Sequence, residues 1–293
     1  MGLPTPALKY ILSCSKKYHF KGPLLTFGNQ DIYANANTLN KWAKDYNLKT
    51  LNSKDILPST SLDLKKINSQ SSSFVHAKTF FKLLGISENN YYDIDKFDFD
   101  KPRILYDLQK PLSSKYKNFF NLIIDNGTIE HIFDIKSVMT NIVNISHIGA
   151  YVLQMVPTNN FINHGFYQIN PTLFYDFYTA NGFEIVESYI VETRPTGYRF
   201  HYYNQKSFKT FFVNPYSRLG TVFLVKKIKN IKTITSPTQF AYQHKKNTKI
   251  IFDKPTDKLR NIVPFKYHSF FYIFWVIYKQ VFSKKKYFDI PFE

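Results

Sequence analysis

The 293-residue chain holds one cysteine, Cys14. A lone thiol excludes an internal disulfide and any zinc or iron–sulfur site built on clustered cysteines. It fits a reducing compartment. Glycine is also scarce, at 10 positions, and no G-x-G-x-x-G occurs. A pyrophosphate needs that close backbone approach at a helix N-terminus, so the absence argues against NAD, FAD and ATP. No apolar run reaches the roughly 18 residues that span a bilayer. The opening Met1-Gly2-Leu3-Pro4-Thr5-Pro6 lacks the charged-then-apolar pattern of a secretory signal. The sequence therefore predicts a cytoplasmic chain.

Acidic residues are scarce in one region only. The chain carries 39 Lys/Arg and 21 Asp/Glu, a formal net charge of +18. Residues 193–293 hold 20 of the basic residues and only 4 of the acidic ones, a net +16. The first two-thirds are electrically ordinary, and the last third is basic and aromatic. Such asymmetry calls for an anionic partner, whether lipid headgroups, nucleic acid or an acidic saccharide; the alternative is a solvated basic face. Hydrophobic residues make up 44% of the chain, enough for a substantial core.

Strand-like and helix-like segments alternate through the first 190 residues. Pro23 to Gly28 reads as a short buried strand and Ala36 to Tyr46 as a helix. Residues 47–73 are polar and read as a loop. Phe74 to Leu84 reads as a helix closed by Gly85. Tyr91-Tyr92-Asp93 and Arg103 to Asp107 read as short strands. Phe120 to Ile124 is an apolar strand ending at Asp125, followed by helical spacing from Ile132 to Ile145. Tyr151 to Val156 is another strand, and Pro171 to Ala180 another helix. Apolar strands separated by helices predict a mostly parallel sheet covered on both faces. Phe183–Val191 and Thr221–Lys226 have no helix between them and must pair antiparallel.

Ligands of open α/β sheets bind at the carboxyl ends of the strands. Those ends carry Gly28, Asp93, Asp107, Asp125 and the run Pro157-Thr158-Asn159-Asn160. A carboxylate after the second strand suits the two hydroxyls of a ribose; Asp95 stands two residues on, an alternative register. With no pyrophosphate loop, the pattern favours a nucleoside ligand without phosphates, of which S-adenosylmethionine is the common example.

The stretch Phe120-Asn121-Leu122-Ile123-Ile124-Asp125-Asn126-Gly127-Thr128-Ile129-Glu130-His131 resembles the fourth-strand motif of class I S-adenosylmethionine-dependent methyltransferases. Pro157 to Gln168 continues the likeness, which spans about residues 20–192. It is similar to a bacterial subgroup found in surface-polysaccharide clusters. The resemblance implies a Rossmann-like methyltransferase sheet over residues 1–230 and methyl transfer to a hydroxyl of a sugar or glycan precursor. By position, it places Phe27 and Gly28 near the methionine end of the cofactor, Asp93 on the ribose and Asp107 near the adenine. Asp125 and Asn126 lie where cofactor and acceptor meet. One glycine of the family's first motif remains, with Asn29 and Gln30 in place of the rest.

His164 sits in the polar loop after the fifth strand, where a neutral imidazole could take the acceptor's proton; bracing that loop is the alternative. His131 could serve beside it or pack over the cofactor. Glu130 is explained without chemistry, as a first-turn acid complementing a helix dipole. Asp125, Asn159 and Asn160 could supply oxygens to Mg²⁺, but their spacing fixes no site, and no metal is predicted. A nucleic-acid methyltransferase is the first alternative. Against it, the turn after the fourth strand reads Asp125-Asn126-Gly127-Thr128 rather than the Asp/Asn-Pro-Pro-aromatic turn of enzymes that methylate base amino groups. A non-catalytic scaffold of the same fold is the second.

Arg194, Tyr198, Arg199, His201, Tyr202, Tyr203, Phe211 and Phe212 lie in residues 193–219, which read as a loop over the active rim. Residues 231–263 read as a basic linker. Within 264–293, Phe270 to Tyr278 is an apolar run with Trp275, flanked by Lys266 and Lys279 and followed by Lys284-Lys285-Lys286. That pattern predicts a C-terminal helix lying on an anionic membrane surface; docking on the core or a second subunit is the alternative.

Overall fold

The computed structural model describes residues 2–59, 74–205, 217–243 and 287–291. In chain order the elements are β1 (Gly2–Leu3), α1 (Thr5–Tyr18), β2 (Leu24–Phe27), β3 (Asp31–Ile32), α2 (Ala36–Asp45) and α3 (Ala77–Lys82). Then come β4 (Tyr91–Asp95), β5 (Ile104–Leu105), β6 (Phe120–Asn126), α4 (Ile135–Ile145), β7 (Ser146–Asn159) and α5 (Pro171–Ala180). The last strands are β8 (Phe183–Arg194), β9 (Gly197–Tyr202), β10 (Leu219–Lys227) and β11 (Tyr287–Pro291).

Nine strands form one sheet in the order β11-β9-β8-β10-β7-β6-β2-β4-β5. The five strands from β5 to β7 run parallel. β10 inserts antiparallel between β7 and β8, as the missing crossover helix requires. From β2 the chain builds outward through β4 and β5, then returns to the other side of β2 as β6. That reversal opens a crevice at the carboxyl ends of β2 and β6, where open α/β sheets take ligands.

In the central strands, residues alternate between the two faces, with bulges at Phe120/Leu122 and Leu224/Val225. Leu24, Leu122, Ile124, Leu153 and Leu224 pack under α1, α2 and α3 through Leu8, Trp42 and Phe80. Leu25, Ile123, Val152, Phe223 and Val225 pack under α4 and α5 through Ile142, Phe174 and Tyr178. Burial on both faces is why these strands read as continuous apolar runs. Asn35, Asp134 and Asn170 accept the first-turn N–H groups of Thr38, Ser137 and Thr172, and so cap α2, α4 and α5.

Three expectations change. Helix α1 was not foreseen; Pro6 in its first turn, the buried Leu8, Ile11 and Leu12, and Lys16 and Lys17 in its last turn are its sequence marks. Residues 197–202 are a strand hairpinned to β8 rather than a loop, because Phe200 is buried against Tyr10 and Tyr189. Tyr287–Pro291 is a strand, not the end of a helix: it pairs with β9, and Asp289 holds the Arg199 guanidinium at 2.7 and 2.8 Å. Phe211, Phe212, most of the basic linker and the Phe270–Tyr278 run lie outside the described residues. Among the described residues, no helix is long and apolar enough to cross a membrane.

Candidate functional site

Two cavities open on the carboxyl rim of the sheet. One, of about 410 Å³, lies beyond β4 and β5 and is lined by Asp95, Phe97, Asp107, Thr128, His131 and Phe133, among others. The other, of about 440 Å³, lies beyond β6 and β7, between the N-terminal segment and β10. Pro4, Asn126, Phe161, Tyr198, Phe200 and Arg218 are among its walls. His131 lines both, and the adjacent Gly127 and Thr128 face one each.

The smaller cavity has the parts a nucleoside needs. Asp95 ends β4, and one of its oxygens takes the Phe97 N–H at 3.0 Å. Asp107 accepts from the Gln109 N–H at 3.0 Å and pairs with Lys96 at 3.1 Å. The Gln109 N–H, together with Lys96, holds the Asp107 carboxyl below its usual range, so it stays ionised. Phe97, Phe133 and Phe166 border this cavity yet are 56, 71 and 67% exposed. Large aromatics gathered exposed round one cavity mark a surface for a flat ring to cover.

The sequence-derived residues divide. Asp93 is not on the rim. It lies mid-strand opposite Thr26, is 8% exposed, and accepts the Arg103 N–H at 2.9 Å, which ties β5 to β4. Asp95, two residues on, is the carboxylate of this strand that lines the cavity. Phe27 and Gly28 end β2 as expected, but neither lines a cavity. The Gly28 N–H closes the ladder to Ile94 O, and the left-handed turn at Gly28 lets Gln30 and Thr128 both donate to Phe27 O.

Asp125 is fully buried and spoken for. Its oxygens accept from Thr128 N, Ile129 N and Gln154 Nε2 at 3.0, 3.3 and 2.9 Å, shaping the turn after β6. Burial pushes its carboxyl up to about 6. Asn126 lies on the wall of the larger cavity and donates to Gly2 O at 2.8 Å, which fixes β1 there. Asn160 Nδ2 donates to Ser217 O at 2.8 Å.

The two histidines converge, with Glu130 between them. The chain turns through a single 3₁₀ turn, Ile129–His131, before α4 begins at its cap Asp134. Glu130 therefore does not cap α4. Its carboxylate is wholly buried, and neither oxygen accepts a hydrogen bond. His164 Nε2 stands 3.4 Å and His131 Nε2 3.9 Å from its Oε1. Burial, with Asp125 adding repulsion, pushes Glu130 up to about 8. Burial also lowers His131. Both imidazoles remain partly exposed. Two glycines permit the approach: a Cβ on Gly127 would meet Glu130 Oε1 at 3.2 Å, and one on Gly165 would meet Glu130 O at 2.9 Å.

Sequence reasoning missed Glu130 as a site group and the N-terminal wall, and held Asp95 only as an alternative register to Asp93. Asp95 was visible as the second carboxylate of Asp93-Ile94-Asp95. Glu130 was visible only as a neighbour of His131, since His164 reaches it from 34 positions away.

No family model matches the chain, and no curated protein matches it. Among solved structures, it is similar to a branched-chain polyamine synthase mutein from Thermus thermophilus at 9% identity and a TM-score of 0.39, covering 80% of this chain and 59% of that one. It is also similar to a putative methyltransferase from Bacillus halodurans, at 12% identity and 0.29, over 52% of this chain and 85% of that one. A third is a mutant 16S rRNA (adenine(1408)-N(1))-methyltransferase from Catenulisporales acidiphilia, at 7% and 0.34, over 75% and 92%. The chain spans about three-fifths of the length of the polyamine synthase it matches.

Proposed function

We propose that the chain is a methyltransferase that uses S-adenosylmethionine. One observation carries this reading: two cavities of about 410 and 440 Å³ meet at His131 on the carboxyl rim of a parallel sheet. The smaller takes the adenosine, with Asp95 on the ribose hydroxyls, Asp107 on the adenine amino group, and Phe97 and Phe133 against the ring. The larger takes the acceptor. The sulfonium methyl then lies at the shared wall formed by Gly127, Thr128 and His131.

The reaction is an in-line displacement. The acceptor oxygen bonds to the methyl carbon as the sulfur–carbon bond breaks, and the electron pair stays on sulfur. The O–H proton passes to the neutral imidazole of His164. Most of the rate gain comes from holding oxygen and methyl in line and excluding water. The acceptor is a hydroxyl of a sugar or glycan precursor: the aromatic walls Phe161, Tyr198 and Phe200 suit a ring, and Asn126 and Arg218 supply a few orienting polar groups. Incubation with methyl-labelled S-adenosylmethionine and a panel of sugar nucleotides and oligosaccharides tests this. Labelled saccharide, formed together with S-adenosylhomocysteine, is the expected product. Cofactor binding without transfer to any saccharide would remove the acceptor class, and no cofactor binding would remove the reading itself.

A further inference from the structure

The geometry points to a metal centre at Glu130, His131 and His164, holding one divalent first-row transition ion such as Zn²⁺. One donor atom from each of the three residues lies within 4.8 Å of the others. A second, independent observation points to a ligand there. The Glu130 carboxylate is 0% exposed and has no hydrogen-bond donor on either oxygen. A buried carboxylic acid with no hydrogen-bond partner is disfavoured, and its ionised form calls for a positive charge beside it. No lysine or arginine among the described residues forms an ion pair with it; the groups within reach are the two imidazole nitrogens at 3.4 and 3.9 Å.

The donor set decides the class of ion. Mg²⁺ and Ca²⁺ take oxygen ligands, whereas imidazole suits zinc, iron, cobalt and copper. Two imidazoles with one carboxylate are a three-ligand set that leaves positions open, as catalytic zinc sites and non-haem iron sites do. All three residues also wall the 440 Å³ cavity, so the open positions face it. The elements that carry the ligands are fixed. The Glu130–His131 turn is held by Asp125, and the His164 loop is held against it by the Tyr167 N–H bond to Glu130 O at 3.2 Å.

On the methyltransferase reading, an acceptor hydroxyl entering the larger cavity takes an open position. A bound ion would then take over from a histidine base: it would lower the pKa of that hydroxyl, and the proton would leave to solvent at the cavity mouth. The metal site itself does not depend on that reading.

The test uses the full-length chain, stripped with a chelator and dialysed against Zn²⁺, then separately against Co²⁺. The expected result is one ion per chain and, for Co²⁺, a visible d–d absorption band. Glu130→Gln and His164→Ala should each weaken Zn²⁺ binding by more than about 100-fold, since even an outer-shell partner is worth about 10–100-fold. His147→Ala, an exposed histidine away from the cluster, should bind as wild type. Thermal melts confirm that each variant folds, and His164→Ala, in a surface loop, serves if Glu130→Gln does not. Absence of Zn²⁺ binding, or binding that survives both variants, overturns the proposal. Titration of the stripped chain with S-adenosylhomocysteine is read separately. Cofactor binding without metal binding defeats only the metal centre, and metal binding without cofactor binding defeats only the methyltransferase reading.

Discussion

Replacing Asp95 by alanine should weaken cofactor binding, whereas replacing Asp93 should weaken the fold. The two carboxylates sit two residues apart on one strand and face the same side of the sheet. Asp95 stands at the strand end on the cavity wall, with one oxygen on the Phe97 N–H at 3.0 Å. A carboxylate that accepts two ribose hydroxyls makes two charge-assisted bonds. Allowing for exchange with water, their loss costs about 2–4 kcal/mol, or roughly 30- to 1,000-fold in Kd. Asp93 is 8% exposed and accepts the Arg103 N–H at 2.9 Å. Removing it leaves that N–H unpaired at a cost of about 1–3 kcal/mol in stability. The Arg103 guanidinium keeps its bonds to Asn89 O and Tyr91 O and its stack on Tyr92, so β5 stays in place. Calorimetric titration with S-adenosylhomocysteine and a thermal melt on each variant separate the effects. A full-affinity Asp95→Ala beside an Asp93→Ala that melts normally but no longer binds would refute the reasoning.

Four further outcomes are expected. His164→Ala should lower turnover by about 10²–10⁴-fold with Kd for S-adenosylhomocysteine unchanged, because the group acts on the acceptor's proton; single-turnover kinetics decide it. Gly165→Ala forces a Cβ to within 2.9 Å of Glu130 O; it should shift the His164 loop and cut turnover at least tenfold while the chain still melts cooperatively. Burial raises Asp125 to about 6, so the folded chain binds more protons than the unfolded one between about pH 4 and 6. Its contribution is complete below about pH 4 and is lost as pH rises through about 6, a change of order 3 kcal/mol; Asp125→Asn should remove that slope in denaturant titrations, and an unaltered slope contradicts the assignment. We further propose that the basic, aromatic C-terminal region holds the chain on anionic membranes. Full-length protein should float with anionic vesicles at low salt and not at high salt, and flotation that ignores salt would count against it.

The parallel strands and the two faces of their core were legible because Leu24-Leu25, Leu122 to Ile124 and Val152-Leu153 are apolar on both faces, as doubly covered strands are; the antiparallel pairing of the late strands was legible from the missing crossover helix, but not the insertion of one of them between β7 and β8. Asp107, Asn126, His131 and His164 were legible as polar residues placed just past such strands. The rim carboxylate of β4 was placed at Asp93 rather than Asp95 because β4 is short and polar: Tyr91, Asp93 and Asp95 share a face, so alternation fixes the side but not the end. Helix α1 escaped because Thr5-Pro6 looks like a break, while Pro in a first helical turn is a start. Strand β9 escaped because Tyr198-Arg199-Phe200-His201 alternates too weakly to separate from a polar loop. Glu130 was read locally, as a helix-dipole acid; its role is set by His164, which only the fold brings within 3.4 Å.

On the methyltransferase reading, the cavity bounded by Asp95, Asp107 and Phe133 takes the adenosine of S-adenosylmethionine. Isothermal titration of the purified full-length chain with S-adenosylhomocysteine tests it most directly. One site per chain is predicted, with affinity abolished or strongly reduced by Asp95→Ala and unmoved by competing ATP or NAD. A folded chain that gives no saturable heat, or that binds equally well without Asp95, would contradict the account.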